Sequence, residues 1–172
     1  MFSVRLAKAA DAKKIARLRV ETLYAADRNQ LPNGALNART IKRREAFWNA
    51  RFAQAKGWVY VIESGDVVGF CDLIPSHDKD TDPKTIAEIA AIFAAADHWQ
   101  LGAGKVLCYH VMAQARTRGC QELIVWVLGS NSHAMRFYES LGFARDGSIK
   151  IVTAADGRNA YEFRYRLKLN RT

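Results

Sequence analysis

The feature that most constrains this chain is a pair of apolar runs separated by one helix. Ile86–Ala94 is apolar except for Glu88, and Glu122–Leu128 is apolar after its first residue. Between them, residues 104–118 carry a helical pattern that stops at Gly119, a residue suited to the left-handed position closing a helix. Short, continuous apolar runs read as strands buried on both faces. A strand, a crossover helix and a second strand form a βαβ unit, so these strands are expected to be parallel neighbours or nearly so.

The flanking segments are antiparallel in character. Phe2, Val4 and Leu6 alternate with other residues and predict a first strand. Asp11 is placed to cap a helix whose Ile15, Ala16, Leu18, Val20, Thr22 and Leu23 share one face. Arg19 falls in the middle of that face. Such an arginine usually snorkels or meets a carboxylate; the sharper reading sets it beside a ligand. Asp27–Gly34 reads as a loop, and residues 38–55 as a second, basic helix carrying Ile41, Phe47, Trp48 and Phe52. A hairpin follows at 58–62 and 67–74, then a polar, acidic stretch at 76–84 expected to be an exposed loop. Asn131–Leu141 is a short helix ended by Gly142, and strands near 143–153 and 159–169 make a last hairpin. The order β-α-α-β-β-β-α-β-α-β-β predicts an α/β fold. Its mixed sheet is mostly antiparallel with one parallel pair, and helices cover its faces. Residues 1–172 read as one domain.

Charge is unevenly placed. The formal net charge is +9, and residues 1–60 alone hold 13 basic against 4 acidic groups. Residues 61–144 hold 6 against 10. A basic excess raises nucleic acid as a partner, yet the densest run, Lys42-Arg43-Arg44, has no helix-turn-helix, zinc or aromatic RNA-binding pattern beside it. A solvated helix face is the plainer reading. No apolar run reaches the roughly 18 residues of a membrane span. Cys71, Cys108 and Cys120 are odd in number and widely spaced, which fits reduced thiols in a cytoplasmic protein. His77, His98, His110 and His133 form no ligand set, so no metal is expected.

Trp99-Gln-Leu-Gly-Ala-Gly-Lys105 lies between the first apolar run and the helix. A glycine-rich turn there aims backbone N–H groups at an anion, assisted by the helix dipole. It is not a dinucleotide fingerprint, because position 107 is Leu. It is not a Walker A loop either, because Val106 follows Lys105.

Position, strand and helix here resemble the acetyl-CoA-binding loop of the GNAT N-acetyltransferases, whose pattern is Gln/Arg-x-x-Gly-x-Gly/Ala. Gly102 and Gly104 match the small positions, and Trp99 stands where the Gln/Arg would be, as in Trp-Gly-x-Gly-x-Gly/Ala variants. Downstream, Asn131, Ala134, Tyr138, Gly142 and Phe143 match the family's Asn-x-x-Ala-x-x-x-Tyr-x-x-x-Gly-Phe stretch. Ile92-Phe93-Ala94 resembles the Leu-Tyr-Val ending before the loop.

The resemblance implies a GNAT-type fold in which the two parallel strands splay, and an N-acetyltransferase using acetyl-CoA without a metal. It implies that backbone near Ile92, Phe93 and Ala94 pairs with the pantetheine arm. The pyrophosphate would rest on the turn of Trp99, Gln100, Leu101, Gly102, Ala103, Gly104 and Lys105. Asn131, with Ala134 and Phe137, would meet the arm; Asn131 is equally placed to cap its helix. Tyr138 would be the general acid that protonates the departing thiolate. The base is open between Glu88, Asp72 and water alone. A backbone N–H near Ala94 would hold the developing oxyanion. A coenzyme A-binding regulatory module without turnover is the alternative.

In the family, the first two helices usually form the acceptor pocket, which marks Arg19, Tyr24, Leu31 and Trp48 as lining residues. The acceptor is expected to be a primary amine of a small molecule or peptide. The basic first third disfavours polycationic acceptors and favours anionic or zwitterionic ones. The last hairpin is a candidate for pairing two copies into a homodimer.

Overall fold

A computed structural model describes residues 1–26, 38–54, 57–153 and 159–169. The loop Asp27–Gly34 and the turn ending at Gly157 lie outside them. The strands are β1 (Ser3–Leu6), β2 (Trp58–Ser64), β3 (Asp66–Pro75), β4 (Ile86–Ala94), β5 (Glu122–Leu128), β6 (Ala144–Thr153) and β7 (Asn159–Lys168). The helices are α1 (Ala12–Ala26), α2 (Ala38–Gln54), α3 (Ala103–Thr117) and α4 (Ser132–Ser140). The strands run in the order β1-β2-β3-β4-β5-β7-β6. β4 and β5 are parallel, while β1–β2, β2–β3, β5–β7 and β6–β7 are antiparallel. The mixed α/β fold with a parallel pair is therefore as the sequence implied.

The backbone divides into two compact units, Met1–Ile74 with Ala91–Val111, and Pro75–Ala90 with Met112–Thr172. β4 and α3 each run from one unit into the other.

In the first unit, the apolar stripe of α1 (Ile15, Ala16, Leu18) meets Trp48 of α2 and Val59, Val61 and Phe70 of the hairpin. Burying each large side chain is worth about 1.5–3 kcal/mol. The Trp48 ring sits edge-on to Phe70 at 5.2 Å, and Phe70 stacks on Phe93 at 5.4 Å. Gly69 permits this approach: a Cβ there would fall 2.8 Å from the Phe93 carbonyl oxygen. Arg5 ties β1 to its surroundings through Asp11 (2.8 Å) and Glu63 (2.6 Å). Asp11 corrects one expectation. It closes a short 3₁₀ turn at Ala9–Asp11, where its carboxylate accepts the Lys8 N–H at 2.7 Å, and α1 begins only after it.

In the second unit, Leu123, Ile124, Val125 and Val127 of β5 are buried, as are Tyr138, Leu141, Phe143 and Tyr165, and Tyr138 meets Phe143 edge-on. The unit's polar centre is Arg164 of β7, whose side chain is 4% exposed. Arg164 donates to Asp78 (2.9 Å), to Asp80 (2.8 and 2.5 Å) and to Asp146 (2.6 Å). Asp78 also accepts from the Trp126 indole (3.0 Å) and pairs with Lys150 (3.1 Å). Asp78 and Asp80 belong to the stretch expected to be an exposed loop. Most of that loop is exposed as expected; within it only Ser76 is buried, and Arg164 holds the segment through Asp78 and Asp80. β6 carries a register shift between Arg145 and Ile149, where Gly147 takes φ 92°. Ile149, Ile151 and Tyr161 of this hairpin are exposed.

Candidate functional site

The first unit holds the strand end and the glycine-rich turn. β4 finishes at Ala94, with Ile92 and Phe93 half-buried before it. The Ala94 carbonyl accepts from the Trp99 indole N–H at 2.6 Å and from the Thr22 hydroxyl at 3.3 Å. Trp99 thus does a different job from a Gln or Arg at this place: it ties the turn to the strand end. It also means that one backbone group of the strand end expected to pair with the pantetheine arm, the Ala94 carbonyl, already accepts hydrogen bonds within the chain. Gln100 and Leu101 are exposed at the turn's tip. Gly102 takes φ 84°, a conformation open to glycine, with nothing within 4 Å of a would-be Cβ. α3 starts at Ala103, and the Val106 N–H donates back to the Gly102 carbonyl at 3.0 Å. The N–H groups of Ala103, Gly104 and Lys105 precede any intrahelical acceptor, the ordinary basis of an anion cradle. Lys105 is exposed beside them.

Arg19 and Arg44 are the unexpected part of this unit. The Arg19 guanidinium lies 5.1 Å from the centroid of the Phe93 ring. Its Nε is buried and has no hydrogen-bond partner. The carboxylate that usually meets such an arginine is absent: among the described residues neither Arg19 nor Arg44 forms an ion pair. Burial lowers the pKa of Arg19, and the charge of Arg44 lowers it further. Sequence reasoning placed Arg44 in a solvated basic run and did not connect it with Arg19. Trp48 corrects another expectation. At 1% exposed it belongs to the core, not to the lining of an open pocket. The Tyr24 side chain and Leu31 lie outside the described residues. Asp72 is bound to Arg51 at 2.7 Å, with both side chains nearly buried. Burial raises its pKa against the opposing pull of Arg51.

The second unit holds Glu88 and the α4 motif. Parallel pairing of β4 with β5 covers only Ile86–Glu88 against Glu122–Ile124, although β5 continues to Leu128. Glu88 occupies the last paired position. It is half-buried, and burial raises its carboxyl above the usual range, with Lys150 as the main opposing charge. Asn131 caps α4 by accepting the Ala134 N–H at 3.0 Å. Tyr138 is 4% exposed and meets Phe137 and Phe143 edge-on at 5.2 and 5.4 Å. Ala134 and Phe137 are half-buried on the same helix. The motif residues are therefore anchored by packing that the i, i+3, i+4 spacing already implied.

Burial raises the thiols of Cys71 and Cys120 and pushes Cys108 up to about 12. None is set up as a thiolate nucleophile at neutral pH. Among the described residues no group of His, Cys, Asp and Glu could hold a metal ion, and no helix is long and apolar enough to cross a membrane.

Comparison with known proteins gives this geometry its context. The chain is 28% identical over 141 residues to the uncharacterized N-acetyltransferase YuaI of Bacillus subtilis, covering 81% of this chain and 79% of that protein. It is 32% identical over 104 residues to the 5-NmdU N-acetyltransferase of Pseudomonas phage PaMx11, covering 60% and 69%. The solved structure of yncA, an acetyltransferase of Salmonella typhimurium with its cofactor acetyl-CoA, superposes with a TM-score of 0.73 at 21% identity, covering 100% of this chain and 96% of that one. The model of the acetyltransferase (GNAT) family matches residues 18–143. That span includes α2, the glycine-rich turn and the Asn131–Phe143 motif, so the chain belongs to the acetyltransferase (GNAT) family and is an acyltransferase enzyme.

Proposed function

We propose that this chain transfers the acetyl group of acetyl-CoA directly to a primary amine of a small molecule or peptide, with residues 1–172 acting as one transferase domain. The observation that carries this reading is the Trp99–Lys105 turn opening α3. Its small residues at 102 and 104 and its first-turn N–H groups suit a pyrophosphate. The acetyl-CoA in the yncA structure supports it. Acetyl-CoA supplies an acetyl group activated as a thioester. The backbone of Leu101–Lys105 holds the pyrophosphate, and Ile92–Ala94 with Asn131, Ala134 and Phe137 hold the pantetheine arm. Glu88 takes the proton of the acceptor ammonium through water, and the Tyr138 hydroxyl donates a proton to the departing sulfur. Asp72, already paired with Arg51, is the weaker candidate for the base.

Titration calorimetry with acetyl-CoA tests the binding step, and absence of binding at millimolar ligand sinks the reading. The chemistry is tested by Tyr138→Phe, expected to lower kcat roughly 100-fold or more while leaving acetyl-CoA affinity unchanged. Glu88 must be ionised to act, and burial raises its pKa. The acid limb of kcat/KM should therefore lie above the ordinary carboxylate range, and Glu88→Gln should remove it. An unchanged profile in that variant assigns the base elsewhere.

A further inference from the structure

Arg19 and Arg44 are two guanidinium groups close enough for the charge of Arg44 to act on Arg19, and no anion pairs with either among the described residues. They belong to different helices of the first unit. Arg44 lies one helical turn before Trp48, whose ring meets Phe70 at 5.2 Å; Phe70 stacks on Phe93 at 5.4 Å; and Arg19 lies 5.1 Å from the Phe93 centroid. The buried Arg19 Nε is an unspent donor, and leaving such a donor unsatisfied costs free energy. The other arginines drawn out of water in the described residues are paired: Arg51 with Asp72, and Arg164 with three aspartates. Arg19 and Arg44 are the exceptions, and Arg19 sits beside Phe93, next to the strand end Ala94.

We propose that Arg19 and Arg44 bind the carboxylate of the acceptor, so that the acceptor is a small amino acid-like molecule with its amine a few bonds from that carboxylate. This rests on the acetyl-transfer reading above, which sets the acetyl group near the end of β4. With Arg19 on Phe93, an anion held by its guanidinium leaves room for only a short spacer before the reacting amine. Arg19 offers its Nε edge, a geometry suited to carboxylate oxygens. An incoming carboxylate satisfies the orphaned donor and relieves the repulsion between the two arginines. The half-buried Phe93 ring then supplies apolar surface for the acceptor's carbon skeleton. A polyamine offers neither benefit and adds a third positive charge.

The test measures acetyl-CoA binding first, then thiol release with a panel of free amino acids, their α-amides and the corresponding decarboxylated amines. The expected result is turnover of at least one free amino acid, with kcat/KM lower by roughly 10- to 100-fold for its amide. Arg19→Gln should lower kcat/KM for the free acid by a similar factor, mainly through KM, and leave the amide little changed. Acetyl-CoA affinity should stay at the wild-type value. Arg44→Gln provides the same readout on the other helix should Arg19→Gln fold poorly. Amides or simple amines used as well as the acids would overturn the proposal, as would equal losses on acid and amide in either variant. Acetyl-CoA binding with no carboxylate-bearing amine acetylated overturns it while leaving the transferase reading intact. Absence of acetyl-CoA binding overturns both.

Discussion

Arg164 in the second unit and Arg19 in the first both leave water, yet the protein treats them in opposite ways. Arg164 donates to three aspartates from Nε and both terminal nitrogens. Arg19 has a buried Nε with no partner, an aromatic ring beneath it and a second cation nearby. A guanidinium whose nitrogens are all used by its own chain holds loops and strands together. One that keeps a donor unspent carries a local free-energy cost that an anionic ligand can remove. Burial alone does not separate these roles; the state of the hydrogen-bond donors does.

The largest effect that sharpens this contrast is expected for Arg164→Met. It leaves aspartates in a part-buried site without their main cation and should lower unfolding free energy by about 3–5 kcal/mol, read from urea denaturation. A change under about 1 kcal/mol would mean that the network is decoration, and the contrast would fail.

Acid titration separates the two arginines next. The Asp80 carboxyl is held down to about 2 by hydrogen bonds from Arg164. For Asp78 and Asp146 burial pushes upward, but hydrogen bonds to cations and, at Asp146, to the Ser148 N–H leave both below the ordinary value. Carboxyls depressed in the folded state stabilise it above their unfolded pKa, about 3.9. That contribution is lost as pH falls through the folded values. The urea midpoint should therefore drop between roughly pH 4 and pH 2, and the drop should shrink in Arg164→Met. Arg19→Met has no paired carboxylate to unmask and should parallel the wild type throughout.

Two smaller effects complete the series. Asn131→Ala removes the α4 cap and should cost about 1 kcal/mol, with a loss of helix signal at elevated temperature. Arg19→Met should change stability least, by under about 1 kcal/mol and in the stabilising direction. A destabilisation as large as that of Arg164→Met would show that Arg19 is structural.

Much of this protein was legible in its sequence. The continuous runs at 86–94 and 122–128 gave away the parallel pair because few other elements are so apolar for so short a length. The Asn131–Phe143 spacing located α4, its cap and its buried tyrosine because helix periodicity is local. The buried strand at 86–94 was read less well. Ala90 is exposed and Glu88 half-buried, so apolar composition overstated burial. The acidic stretch at 76–84 was read as exposed, and most of it is, but its tie to Arg164 was not legible because that residue lies more than 80 positions away. Trp48 was marked as pocket lining by the family resemblance, which names the helices around an acceptor pocket but not how deeply each of their side chains is covered.

The sequence by itself determined the elements, their order and the family, since periodicity, glycine placement and motif spacing all act over a few residues. Only the tertiary structure decided which charges meet. Arg164 finds three carboxylates, Arg51 finds Asp72, and the Trp99 indole finds the Ala94 carbonyl, while Arg19 finds a phenylalanine face. A charge's partner is set by where distant segments converge, and its strength by how much water they exclude, and neither is encoded in the residues adjacent to it.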